Sequence, residues 1–158
     1  MKILFKLLLF VLLVSIAGAQ GIPKLEITLQ EEKVNLTLVE SSGESEVIYH
    51  PGDTIRYLVE ATNTGTGLLT EPVVTDPIPQ GVTYIPGSVK IEVGETRFSI
   101  DNGINYSSWP VTYRVRDARG NEIIKQASPE MITHIKWYIQ TSLQPKQSKI
   151  MELLVEVN

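Results

Sequence analysis

The chain has 158 residues, no cysteine, two histidines, 42% hydrophobic residues and a formal net charge of -4. That length suits one domain, and the apolar content excludes a disordered chain. The acidic balance excludes the clustered Lys and Arg that nucleic acid or an anionic membrane requires, and the absence of cysteine excludes disulfide staples.

Residues 1–19 follow the plan of a secretory signal peptide: Lys2 and Lys6, then the apolar run Leu7–Val14, then the small residues Ala17, Gly18 and Ala19. The apolar run is shorter than the roughly 20 residues that span a bilayer. Cleavage after Ala19 removes two lysines and leaves -6 on residues 20–158. No cysteine follows the small residues, so a lipoprotein anchor is not expected. The expectation is an exported, released protein without a stable membrane span: periplasmic, on the cell surface or extracellular.

Residues 20–45 read as an N-terminal strand segment and loop. Leu25, Ile27 and Leu29 alternate, then Val34, Leu36 and Leu38 alternate on the opposite parity. Strand side chains alternate strictly, so either a bulge re-phases one strand or two short strands meet across residues 30–33. Ser41–Ser45 is a loop by composition, and Val47–Tyr49 a short strand. Pro51-Gly52-Asp53 is turn chemistry. Ile55, Tyr57, Val59 and Ala61 then form the apolar side of a strand, broken at Asn63–Gly67, with Val73–Thr75 as the next strand. Pro72, Pro77, Pro79 and Pro86 exclude a helix through this stretch.

Val82–Tyr84 and Val89–Val93 follow as strands, and turns at Asp101–Gly103 and Arg119–Asn121 suggest two hairpins. Val111, Tyr113 and Val115 form one strand face, as do Ile135, Trp137 and Ile139, and finally Met151, Leu153, Val155 and Val157. Eight to ten short, half-buried strands and no helix beyond the leader predict an all-β fold of two sheets packed face to face. Trp137 and Tyr57 are the expected bulky core members. One core is expected, hence one domain in which 20–45 joins 46–158.

Three segments together resemble a known family: Tyr49–Tyr57 (YHPGDTIRY), the Asn63-Thr64-Gly65 turn, and Val74–Tyr84 (VTDPIPQGVTY). They are similar to the repeat module called domain of unknown function 11, as is the closing part of the chain from Ile135 to Val157. Lys146 stands where that module commonly has glycine. The resemblance covers about residues 46–158 and implies an immunoglobulin-like β-sandwich of bacterial or archaeal surface proteins. It brings no catalytic residues. The chain differs in having a single copy and an insertion at about 97–129.

Candidate chemistry is sparse. Asp53, Asp76 and Asp101 invite a Ca²⁺ reading, but Asp101-Asn102-Gly103 lacks the spacing and distal Glu of a calcium loop, so turn roles are expected. His50 and His134 stand far apart with no thiol to complete a zinc set. No G-x-S-x-G occurs. Catalytic, cofactor and metal residues are therefore all expected to be none. Arg114, Arg116 and Arg119 form a basic stripe that suits either solvent or an acidic polysaccharide. Asn35-Leu36-Thr37 and Asn105-Tyr106-Ser107 match glycosylation sequons.

The resulting expectation is a non-enzymatic, exported β-sandwich serving as a structural or accessory component of the cell envelope. Its partners would be envelope proteins, or itself by edge-strand pairing. The alternative is a soluble carbohydrate- or protein-binding module that uses residues 97–129. Under either, the N-terminal run has two possible homes: an edge of its own domain, or an edge of a neighbouring molecule.

Overall fold

The structure is a computed structural model that describes residues 21–34 and 48–158. The expected leader (1–19), the Ser41–Ser45 loop, Leu36, Leu38, Val47 and the Asn35 sequon lie outside the described residues.

Alternation sets the strands. In β1 (Leu25–Lys33) and β2 (Thr54–Asn63) every second side chain turns inward. There follow β3 (Val73–Pro77), β4 (Val82–Tyr84), β5 (Lys90–Ile91), β6 (Gly94–Ser99), β7 (Thr112–Arg116) and β8 (Glu122–Gln126). A single 3₁₀ turn at Pro129–Met131 leads to β9 (His134–Ile139) and β10 (Ser148–Val157). The described residues are thus all-β, in several antiparallel sheets. One sheet runs β1-β2-β10-β4, with β5 also bonded to β10; a second runs β3-β9-β6; β7 and β8 form a hairpin apart from both.

The first two sheets share one core. Ile55, Tyr57, Val59, Met151, Leu153 and Val155 come from the first, and Val74, Ile135, Trp137 and Ile139 from the second. Trp137 is fully buried and Tyr57 nearly so, as their parity predicts. Ten inward apolar side chains, at about 1.5–3 kcal/mol each, offset tens of kcal/mol of backbone ordering. At one end Tyr84, Phe98 and Trp109 pack with ring centroids 5.1–5.7 Å apart, and so join β4, β6 and the approach to the hairpin.

Several details differ from the sequence reading. β1 stays in register with β2 from Leu25 to Lys33 without a bulge. The apolar parity simply ends at Leu29, and Lys33 on the same parity reaches Asp53 instead. Ile48 and Tyr49 are irregular chain rather than strand. Val89–Val93 is not one strand: only Lys90 and Ile91 pair with β10, and the chain then crosses to the other sheet at Gly94. A Cβ there would meet the Tyr138 carbonyl oxygen at 2.4 Å, so glycine permits the crossing. Arg97, Phe98 and Ser99, at the start of the 97–129 segment, belong to β6 and pair with β9. The Asp101–Gly103 turn closes only a single bridge, Phe98 to Ser107, and not a hairpin of strands.

Candidate interaction surface

The residues singled out for chemistry are engaged in structural roles. Asp53 accepts a hydrogen bond from the His50 backbone N–H at 2.6 Å and pairs with Lys33 at 2.5 Å. The Lys33 bond, then the His50 N–H, holds its carboxyl below the usual range. Asp101 accepts the Asn105 N–H at 2.9 Å, the Ser99 hydroxyl at 2.7 Å and the Asn105 side-chain amide at 2.7 Å. Those bonds, the Asn105 backbone first, lower it to about 2. It is a turn-forming aspartate, as expected, and it occupies the amide of the Asn105 sequon.

Asp76 is different. It lies buried on β3 opposite Ile135, and burial pushes its carboxyl up to about 7. His50 is exposed, whereas His134 is half-buried with Nδ1 3.2 Å from the Thr133 hydroxyl. Among the described residues no three His, Asp or Glu side chains gather as a metal site would need. Two open clefts, of about 350 and 270 Å³, are lined around Tyr84, Glu130 and Glu156 and around Glu71, Glu95 and Tyr138. Neither brings together a nucleophile and a base.

The open sheet edges carry more information. The Lys24 carbonyl accepts Thr64 N–H at 2.8 Å, and Val34 N–H donates to Thr54 at 2.9 Å. Even-numbered residues of β1 therefore face β2. Leu25, Ile27, Leu29, Glu31 and Lys33 turn their backbone groups outward, where no strand among the described residues meets them. Native edges are usually blunted by proline, bulges or shortness. β1 is nine residues long, unbulged and free of proline. By contrast, β3 is flanked by Pro72 and contains Pro77, and β4 and β5 are three and two residues long.

The second open edge is β8. Asp117 N–H bonds the Asn121 carbonyl at 2.9 Å and Ala127 N–H bonds the Val111 carbonyl at 2.8 Å, so odd residues face β7. Glu122, Ile124 and Gln126 turn their backbone groups away from it. All five β8 residues are exposed, Ile124 at 68% and Ile123 at 37%. Val111 and Ala127 are buried and anchor the hairpin at its base. The predicted basic stripe is real as a surface: Arg114 and Arg116 are exposed on one face of β7, and Arg114 pairs with Glu122 at 2.7 Å. Residues 112–126 carry four basic and two acidic side chains, net +2, while the other described residues carry net -5.

Sequence reading marked the turn before β8 but not the strand itself. Adjacent Ile123 and Ile124 fall on opposite faces and mask alternation; the available signal was two isoleucines one residue after a Gly-Asn turn. Compared with protein-family models, curated proteins and solved structures, the chain matches none.

Proposed function

We propose that this chain is a non-enzymatic, exported subunit or accessory of the cell envelope, an immunoglobulin-like β-sandwich that works through its sheet edges. The observation that carries this reading is the nine-residue edge of β1, which no strand among the described residues covers. Unpaired backbone groups along that length are a template for another strand. The two antiparallel sheets around one core, the leader-like residues 1–19 and the resemblance of residues 46–158 to surface-protein modules support it. The test is cell fractionation with intact-mass analysis, followed by light scattering of the chain from Gln20. Export with cleavage after Ala19 and concentration-dependent association are expected. A cytoplasmic full-length monomer would remove the reading.

A second reading, a soluble binding module, is favoured by the exposed basic face of β7. It predicts a monomer whose affinity for an acidic polysaccharide falls when Arg114 and Arg116 are changed to Glu.

A further inference from the structure

We propose that β8 of one molecule adds, antiparallel, to the edge of β1 in the next that no strand among the described residues covers, with Ile124 opposite Ile27, Lys125 opposite Glu26 and Ile123 opposite Thr28. This rests on the edge-acting reading above and names the occupant of the edge as a second copy of this chain.

Backbone parity is the first reason. Outward-facing groups are odd-numbered on β1 and even-numbered on β8. Setting Ile124 against Ile27 aligns outward groups with outward groups. It also places Ile124 on the core side, beside the half-buried Leu25, Ile27 and Leu29 that pack against the core. An isoleucine 68% exposed in the single molecule thereby gains an apolar neighbour. Glu122 and Gln126 then oppose Leu29 and Leu25, so the three outward pairs make about six backbone hydrogen bonds.

Charge selects the register. On the solvent face Lys125 meets Glu26, both exposed. Sliding β8 two residues one way sets Lys125 against Lys24, and two residues the other way sets Glu122 against Glu31. Each slip puts like charges directly opposite, which is destabilising. The same complementarity holds at larger scale, since a +2 hairpin meets a body of net -5. Using β7 instead would bring Arg114 and Arg116 to the core side of β1, against apolar side chains. The contact joins two different surfaces, so each added molecule offers a further edge and repetition produces open chains or rings.

Sedimentation velocity of the chain from Gln20 across a concentration series tests this. The expected result is an average mass that rises past the dimer. Ile124→Pro removes an outward N–H and the isoleucine side chain but no N–H that bonds β7, and should abolish growth with melting little changed. Lys125→Glu and Glu26→Lys should each raise the concentration at which assembly begins about tenfold. The double exchange in one chain should restore it. Assembly that stops at a dimer and ignores Ile124→Pro and Lys125→Glu overturns β8 as the occupant, and leaves β1 as an edge that pairs with itself. A monomer at every concentration overturns both this proposal and the reading beneath it.

Discussion

Lys33 Nζ sits 2.5 Å from Asp53 Oδ2 and also donates to the Ile48 carbonyl at 3.0 Å, so the end of β1 is tied to the turn that opens β2. Lys33→Met should lower the melting temperature by a few degrees at neutral pH. The carboxyl of Asp53 is held down, so its contribution is present above its unfolded value of 3.8 and lost as pH falls through the lower folded value. Melting curves of parent and variant should converge in acid, once the pH lies below the lowered folded value. A difference that persists in acid would assign the effect to packing of the lysine stem.

Asn63 is the polar centre of the opposite end of the sheet, where β2 closes against the start of β1. Its side-chain amide donates to the carbonyls of Gly67 and Leu143, both at 2.8 Å, and its oxygen accepts Gly65 N–H at 3.0 Å and Lys24 N–H at 3.3 Å. Asn63→Ala removes these four bonds, two of them to the carbonyls of the buried residues Gly67 and Leu143, and should cost about 2–4 kcal/mol in urea unfolding. A cost under about 0.5 kcal/mol, as at ordinary surface sites, contradicts the network.

Trp137 is the largest fully buried side chain, and Trp137→Ala should cost about 3–5 kcal/mol. Lys136, on the opposite parity, is not idle: its ammonium lies 3.7 Å from the centroid of the Tyr106 ring. Lys136→Ala should therefore cost about 0.5–1 kcal/mol, more than parity alone suggests. Paired urea midpoints, with Tyr106→Leu as the second leg of a cycle, decide whether the ring accounts for it.

Asp76 makes the fold more stable in mild acid. Burial raises its carboxyl to about 7 from 3.8. Between those values the unfolded chain has lost the proton and the folded chain keeps it, so stability falls as pH rises and levels off above about 7. The span corresponds to a few kcal/mol at most. Asp76→Asn should flatten this slope and raise the melting temperature at pH 8. An unchanged slope would place the titration elsewhere. Asp101 acts in the opposite sense, its stabilisation being lost only as pH falls from its unfolded 3.8 toward about 2.

Lys146 adopts φ = +69°, the left-handed region, and its N–H donates to the Asn63 carbonyl at 2.8 Å. The turn is thus made with lysine in a conformation that favours glycine, at a cost glycine would not incur. Lys146→Gly should raise stability by up to about 1 kcal/mol, partly offset by the greater freedom of glycine when unfolded. Thermal melts settle the sign.

Alternation along the chain was enough to assign the inward faces of β2, β9 and β10, and with them Tyr57, Trp137 and the all-β class. Side-chain direction in a strand follows from position alone, with period two, whatever the strand pairs with. Asp101 was legible as a turn residue for the same kind of reason, because its partners Ser99 and Asn105 lie within four residues of it. Tertiary structure alone decided which strands are neighbours. β2 lies between β1 and β10, whose residues are dozens of positions away, and nothing in a local pattern encodes those pairings. Hence the crossing at Gly94, the place of β6 beside β9, the burial of Asp76 and the outward edges of β1 and β8 became visible only in three dimensions. An edge is defined by the strand that does not pair with it, and that depends on how the whole sheet is assembled.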